Sequence, residues 1–553
     1  MPLLVLLLLW GVLITFINPA GEFTQNDDWG YVMLLESLAG EGKMIATGWG
    51  PGGPSAIVHV LWAWLVTSVW GYSFTMLRVS VLSLGVMGSI CLFTLLYIAG
   101  VPRWLALWGT VCIVVNPLFL SQCFTFMTDI TFVTLAILSL LFLHLGVERS
   151  RVIWIAVGLF VAGCSILTRQ VGLMIPMAFV IMCFFHPKLR SLGIWRMFLL
   201  VGVFALLPSL VYEVFLSFVG STPVTKSEVV LHILINARTK GGVLGYLYFL
   251  YWQLAHVQLG YMSFFLSPVV ALGYRDYWGS RGFRIFVIVV TAGFVLLEAG
   301  LLVGWFSLPI WLHRNVLFNA GIGPIILKDT YILGIRRDPG MSPYVYYLLV
   351  YWTVLAGGLL VVNIARSVKG IVASYFEKAG AEPPVFVATL ALIAALINMV
   401  TIALTGMHDR YLIPIMVLIV IWLLTGVKVW NHAPLQIKRL VPAGLALVGI
   451  TLFAMFGMRD FMELKRAQVK AQDYVVHELG VDPCHMDGGL EFNGYHCSSK
   501  GVNSAARASW WWVGREAYLI ALGPLPGYKV VKTFPFNRAI GPDGAIHILR
   551  RDT

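Results

Sequence analysis

Long apolar runs separated by short polar links repeat along the chain from Met1 to about Met458. A helix crossing a hydrocarbon core roughly 30 Å thick needs about 20 consecutive apolar residues. The runs predict spans over about 1–18, 78–99, 104–122, 130–147, 152–168, 171–186, 197–219, 245–274, 285–306, 344–364, 384–405, 411–427 and 441–457, about thirteen transmembrane helices. No water-soluble core hides that much apolar surface. The predicted fold class is mainly α, a polytopic membrane helix bundle. The first run lacks a basic leader and meets only a weak cleavage site at Pro19-Ala20-Gly21, so it reads as a retained helix.

Composition agrees: of 553 residues, 59% are hydrophobic and 12% are charged, whereas soluble domains run near a quarter charged. The net charge of +12 does not indicate nucleic acid, because its placement is wrong for that. Basic residues sit in short links between apolar runs: Arg149 and Arg151; Lys188, Arg190 and Arg196; Arg275, Arg281 and Arg284; Arg366, Lys369 and Lys378; Lys428, Lys438 and Arg439. Such enrichment marks cytoplasmic loops, and it sets the sidedness of everything between them.

One apolar stretch, Ser55 to Trp70, cannot be a span, since counting it inverts every later loop. With Trp62, Trp64, Trp70 and His59 it reads as a helix lying in the interface plane. Residues 19–77 then form one long external loop, and the tail from 458 to 553 is external as well. The tail carries Gly523-Pro524-Leu525-Pro526-Gly527 and short β-branched runs at Lys529–Thr533 and Ala545–Leu549, which predict a small α/β domain. The expected division is a transmembrane domain over 1–457 and an external domain over 458–553. Cys91, Cys112, Cys123, Cys164 and Cys183 lie in apolar runs as small core residues. Cys484 and Cys497, outside the cytoplasm, favour a disulfide. A zinc site with His485 and His496 is the alternative, although no Cys-x-x-Cys spacing accompanies it, and free thiols are the third. Trp510-Trp511-Trp512 suits core packing, a membrane contact or stacking on a sugar.

Carboxylates at membrane depth are costly, roughly 2.5–3.5 kcal/mol at a helix centre, and three stand out. Asp27 and Asp28 follow the first apolar run in Asn26-Asp27-Asp28-Trp29-Gly30-Tyr31, and Asp129 ends Thr125-Phe126-Met127-Thr128-Asp129. The plain alternative is a helix N-cap, less apt for two adjacent carboxylates that repel each other. Cations share that face: Arg169 after Leu167-Thr168, the link His408-Asp409-Arg410-Tyr411, Arg78 at the head of a span, His313-Arg314, and Lys43. Solvated turns explain a charged link equally well, and Arg78 can be read as snorkelling. Together, however, carboxylates and guanidinium groups on one face suit proton abstraction from a hydroxyl beside a bound phosphate.

At these residues the sequence resembles the type-C (GT-C) glycosyltransferases, in particular the protein O-mannosyltransferase and aminoarabinose transferase superfamily with its bacterial dolichyl-phosphate-mannose mannosyltransferase-like members. The family's Asp-Glu-x-x-Tyr resembles Asp27-Asp28-Trp29-Gly30-Tyr31, and the Arg that opens its next span matches Arg78. Its Pro-x-x-x segment leading to an external Asp resembles Asn116-Pro117-Leu118-Phe119 with Asp129. Its Leu-Thr-Lys-Gly resembles Leu167-Thr168-Arg169-Gln170, and its Arg-Tyr-x-x-Pro resembles Arg410-Tyr411-Leu412-Ile413-Pro414. The family's His-Pro-Pro-Leu is degraded here to Gly52-Gly53-Pro54-Ser55-Ala56, and Asp replaces Glu at position 28. The likeness runs from residue 1 to about 430.

The resemblance implies a GT-C-like bundle that transfers a hexose or pentose from a polyprenyl-phosphate donor to a glycan, lipid or protein acceptor, with inversion. It implies Asp27 as general base, with Asp28 and Asp129 supporting it, orienting the acceptor or helping to hold a divalent cation, the one candidate cofactor. Arg169 and Arg410 are implied as donor-phosphate ligands, with Tyr411, His408 and Lys43 beside them. The implied place is the bacterial inner (plasma) membrane with the site facing outward, where nucleotide sugars are absent and a lipid carrier is needed. A transporter or flippase of lipid-linked sugar is the alternative, but it favours charges near the midplane of repeated halves. A glycan ligase or polymerase is another.

Overall fold

The computed structural model describes residues 1–42, 44, 56–219, 235, 242–273, 281–282, 284–289, 292, 315–318, 321–337, 343–376, 383–405, 408–426, 437–498, 511–539 and 541–552. They form a mainly helical molecule with a small sheet near the C-terminus. Seven described helices are long and apolar enough to cross a membrane, or eight if one bent pair is a single span. Four shorter apolar helices accompany them: Pro2–Ile17, Ile57–Trp70, Val152–Ile166 and Gln170–Phe185. The described residues do not by themselves confirm the expected count of about thirteen spans. Several apolar runs are short or broken, and most of the expected span 285–306 lies outside the described residues.

The helices used below are α1 (Pro2–Ile17), α2 (Asp28–Glu41), α3 (Ile57–Trp70), α4 (Phe74–Ile98), α5 (Arg103–Val114), α6 (Pro117–Cys123), α7 (Thr128–Glu148) and α8 (Val152–Ile166). The expected span 104–122 is really α5 and α6, bent by 68°. Pro117 lacks an N–H and clashes with a continuing helix, while the Asn116 side chain restarts the chain by accepting from Leu118 N at 2.9 Å. Of the expected interfacial stretch, Ser55 lies outside the described residues, and Ile57–Trp70 is helical as α3 and exposes Trp64, Leu65, Val69 and Trp70. The loop before it holds a second helix, α2, that hydrophobic patterning did not predict.

Helices α7 and α8 make a tight antiparallel hairpin. A Cβ on Gly146 would lie 2.8 Å from Ile155 N, and one on Gly158 would lie 2.9 Å from Leu143 N. Small residues permit this backbone approach, which is a main source of helix association in membranes. Ser139 Oγ adds a hydrogen bond to Gly158 O at 2.8 Å. The hairpin sets the first turn of α7, with Asp129, beside the chain leaving α8, with Arg169.

The last long helix, Ile437–Asp473, has 37 residues. At 1.5 Å per residue it is about 55 Å long, well beyond a hydrocarbon core of about 30 Å. The expected span 441–457 is its first part, and no break occurs at 458. Beyond it, four strands form a sheet in the order β3-β4-β6-β5: β3 Met486–Asp487, β4 Tyr518–Ala521, β5 Tyr528–Phe536 and β6 Gly544–Arg551. The β3–β4 pair is parallel and the others are antiparallel. A two-stranded hairpin of β1 (Leu317–Phe318) and β2 (Gly321–Ile322) comes earlier in the chain. Cys484 and Cys497 are joined as a disulfide across the short helix Leu490–Cys497, which removes both thiolates from any zinc site. Of the tryptophan triplet, Trp510 lies outside the described residues, and Trp512 packs edge-on against Trp29 with centroids 5.3 Å apart.

Gly158→Val forces α8 away from α7. Overpacking of this kind costs about 1–3 kcal/mol, so the variant should show a lower thermal midpoint in detergent. It should also be impaired in any activity that needs Asp129 and Arg169 together. An unchanged midpoint would remove the hairpin from this role.

Candidate active site

The carboxylates Asp27 and Asp28 sit at the head of α2 and do different things. Asn26, just before them, adopts a left-handed conformation, φ 56°. Asp27 occupies the N-cap position but makes no capping hydrogen bond. Its carboxylate instead meets Arg410 at 3.2 Å, with 31% of the side chain exposed. Asp28 is buried; its Oδ1 accepts from Gln25 N at 2.6 Å and its Oδ2 from Phe126 N at 3.1 Å. Both oxygens are therefore committed to the backbone, and Asp28 staples the first loop to the α6–α7 corner. Burial pushes its carboxyl up to about 7, against the pull of those two N–H groups and of Arg78.

Arg78 does not snorkel. It is 1% exposed and donates to the carbonyls of Pro19 at 2.9 Å and Phe23 at 2.7 Å, and to that of Gly21. Its guanidinium also lies 4.3 Å from the Phe23 ring centroid. His59 of α3 is buried, with Nδ1 2.8 Å from Thr131 Oγ1 and Nε2 3.3 Å from Phe126 O. The surface helix is thereby pinned to the same corner that Asp28 holds.

Asp129 lies in the first turn of α7 with no capping role. Its Oδ1 accepts from Arg169 Nη1 at 2.8 Å, and its Oδ2 is buried without a partner. The same Arg169 nitrogen lies 3.3 Å from Thr128 Oγ1. The Tyr31 hydroxyl is hydrogen-bonded to Thr128, and burial pushes the phenol up to about 12 although Arg169 and Arg410 act in the opposite sense.

Arg410 belongs to the short turn Asp409–Tyr411 that opens the next apolar helix. Asp409 is buried and accepts from Val316 N at 3.1 Å, Leu317 N at 2.8 Å and Arg410 N at 2.8 Å. It fixes the turn against β1. Arg410 is 5% exposed; Nη2 meets Asp27, while Nε and Nη1 are buried without partners. Tyr411 presents its ring to both guanidinium groups, at 4.8 Å for Arg169 and 5.5 Å for Arg410, an arrangement attractive to each cation. His408 stands edge-on to that ring at 5.2 Å.

Residues expected from four separated segments thus meet: Asp27, Asp129, Arg169, and Arg410 with Tyr411, His408 lying at the margin. Asp28 is a positioning residue at the rim of the site, with neither oxygen free. Lys43 lies outside the described residues, as do His313 and Arg314. A divalent cation does not fit the carboxylates as arranged, since Asp28 is occupied by backbone and Asp27 and Asp129 each hold an arginine. Among the described residues no group of three or more His, Cys, Asp or Glu side chains could hold a metal ion. Sequence reading missed Asp409, Tyr31 and His59. The first two stand within quoted motifs, so their neighbours were the available signal.

It also missed the contribution of the C-terminal region. Glu491 Oε1 accepts from Asn26 N at 3.2 Å and from Lys465 Nζ at 2.6 Å. Tyr495 donates to Glu36 of α2 at 2.7 Å. A Cβ on Gly494 would lie 2.4 Å from the Trp29 ring, so only glycine allows this helix to sit so close.

Two solved structures align with nearly the whole chain. The crystal structure of ArnT from Cupriavidus metallidurans in the apo state is 13% identical, covers 99% of this chain and 97% of its own, and has a TM-score of 0.39. The crystal structure of the same ArnT bound to undecaprenyl phosphate is 12% identical over the same shares, with a TM-score of 0.40. ArnT is an aminoarabinose transferase and a GT-C glycosyltransferase. No protein-family model and no curated protein matches the chain.

The Asp28 carboxyl has a pH signature. Its folded value, about 7, lies above its unfolded value of 3.8. Below about 4 the carboxyl is protonated in both states and the folded form bears no penalty. Stability is then lost as pH rises towards 7, by up to about 1.4 kcal/mol per pH unit. Thermal midpoints measured between these limits should fall with pH and flatten in Asp28→Asn; equal slopes in both proteins would contradict the assignment.

Proposed function

We propose that the protein is a membrane glycosyltransferase, transferring a sugar from a polyprenyl-phosphate donor to an acceptor hydroxyl on the extracytoplasmic face. The observation that carries this reading is Arg410. A buried guanidinium with Nε and Nη1 unpartnered is costly unless an acceptor arrives, and a phosphate oxygen pair matches that fork. Arg169, across the Tyr411 ring, supplies a second cation. The donor phosphate sits where a lipid-linked headgroup lies, at the end of the apolar bundle.

In the reaction, Asp27 takes the proton from the acceptor hydroxyl. The hydroxyl oxygen forms its bond to the anomeric carbon as the carbon–oxygen bond to phosphate breaks on the opposite side. The configuration inverts, and polyprenyl phosphate leaves with the electron pair, stabilised by Arg410 and Arg169. Asp129 orients Arg169, Asp28 and Asp409 hold the two loops, and the region after 457 forms the external domain. The bacterial inner membrane suits the donor class, and the ArnT structure that carries undecaprenyl phosphate is similar in kind.

Asp27→Asn should lower transfer of radiolabelled sugar by about 10²–10⁴-fold with donor binding kept. Arg410→Ala should weaken donor binding about tenfold or more. Full transfer by the first variant, or unchanged donor dependence in the second, sinks the reading. So does movement of labelled lipid-linked sugar across vesicles with no carrier phosphate released, which is a transporter's behaviour.

A further inference from the structure

The turn that carries Asp27 is held from two directions. From the α6–α7 corner, Phe124 O accepts from the Gln25 side-chain amide at 3.0 Å, and Asp28 bridges Gln25 N and Phe126 N. From the C-terminal region, Glu491 Oε1 accepts from Asn26 N at 3.2 Å, across 465 residues of sequence. The Asp27 side chain contributes to neither anchor. It makes no capping hydrogen bond, and its carboxylate meets Arg410. Its place is therefore set by its neighbours. Asn26 is left-handed at φ 56°, and a residue other than glycine stays in that conformation where the surrounding structure holds it. The bond from Glu491 falls on the N–H of that residue.

The acceptor is itself fixed. Glu491 sits in the first turn of the helix Leu490–Cys497. That helix is tied at its start by Leu490 N donating to Ile326 O at 3.1 Å and by Gln472 Nε2 donating to Gly488 O at 2.8 Å. At its end it is tied by the Cys484–Cys497 disulfide. Lys465 Nζ of the long helix donates to the same Glu491 oxygen at 2.6 Å, and both side chains are 3% exposed. The short helix also lies along one face of α2. Gly494 admits the Trp29 ring, Ser498 Oγ is 3.8 Å from Met33 Sδ, and the Tyr495 hydroxyl donates to Glu36 at 2.7 Å. Positions 29, 33 and 36 follow the helical repeat.

We propose that Glu491 is a positioning residue: through Asn26 N it sets where the turn presents the Asp27 carboxylate. The proposal rests on the glycosyl-transfer reading, in which Asp27 is the base, and adds to that site a residue from the region after 457. The phosphate ligands Arg169 and Arg410 are anchored by other segments, so placement of the base and binding of the donor are separable by mutation. Replacing a buried ion pair with apolar side chains of similar volume is often neutral in stability. The structural worth of the Lys465–Glu491 pair can therefore be separated from its service as an acceptor.

The test compares two double variants of the full-length protein in detergent. Lys465→Met with Glu491→Leu removes the ion pair and the acceptor for Asn26 N. Lys465→Met with Glu491→Gln removes the same charges and keeps an acceptor oxygen. Amide exchange over residues 24–31, read by mass spectrometry, should quicken in the first and match the parent in the second. Transfer is measured from undecaprenyl phosphate bearing radiolabelled glucose, mannose or aminoarabinose, with membranes of the source strain as acceptor. The first variant should lose about 10–100-fold in kcat, the scale of a misplacement of roughly 1 Å, with KM for the donor unchanged. The second should transfer as the parent does. Thermal midpoints are measured alongside. If the Leu form fails to fold, Glu491→Asp takes its place, because it keeps the charge and shortens the reach by one methylene; the same loss in kcat is expected. The proposal is overturned if exchange over 24–31 is the same in both double variants, if the Gln form loses kcat as the Leu form does, or if the loss appears in KM. A parent that transfers none of these sugars removes the glycosyl-transfer reading for these donors, and exchange over 24–31 still decides whether Glu491 holds the turn.

Discussion

A guanidinium buried at the end of an apolar bundle must be neutralised where it sits, and the Arg410–Asp27 pair meets that demand across 383 residues of sequence. An isolated charge in such surroundings costs several kcal/mol even after relaxation. The pairing therefore constrains two loops that begin and end far apart. Asp129 and Arg169 repeat the constraint from the α7–α8 hairpin, and the Tyr411 ring lies against both cations. Each charged residue depends on at least one element remote in the chain, so the site exists only in the folded bundle.

The carboxylates divide into two kinds by what they accept from. Asp28 and Asp409 accept backbone N–H groups and hold loops: Asp28 ties residue 25 to residue 126, and Asp409 ties residue 410 to residues 316 and 317. Asp27 and Asp129 accept from guanidinium groups and keep capacity to spare, Asp27 by exposure and Asp129 through an unpartnered oxygen. The adjacent pair Asp27-Asp28 avoids mutual repulsion through this division. One side chain turns out towards a cation and the other turns in towards backbone donors.

Much of the site was legible in the sequence because ionisable residues are rare among apolar runs, and each exception carries information. Asp27, Asp129, Arg169, Arg410 and Tyr411 stand out on that ground, and the basic links assign them to one face. What was not legible depends on distant partners. Nothing local to Asp28 tells that Phe126 N will claim one of its oxygens, and nothing local to Arg78 tells that three carbonyls of the first loop will surround it. Where each span begins and breaks was less legible for a related reason. An apolar run records burial or lipid contact but not continuity, and Pro117 turns one predicted crossing into two helices bent by 68°. The long helix Ile437–Asp473 shows the converse, since its polarity changes near 458 while its backbone continues.

The resting ion pairs bear on how such a site can work under the proposed reading. Two guanidinium groups beside one ring repel each other, and without an anion between them the nearby carboxylates are their counter-charges. A carboxylate oxygen engaged by arginine is less available to an incoming hydroxyl. An arriving phosphate, with more charge and a matching oxygen geometry, competes for the same guanidinium protons and loosens the hold on Asp27. An acceptor meeting the loaded site encounters a freed carboxylate. The coupling needs no moving domain; it follows from giving the base and the leaving group the same partner, Arg410.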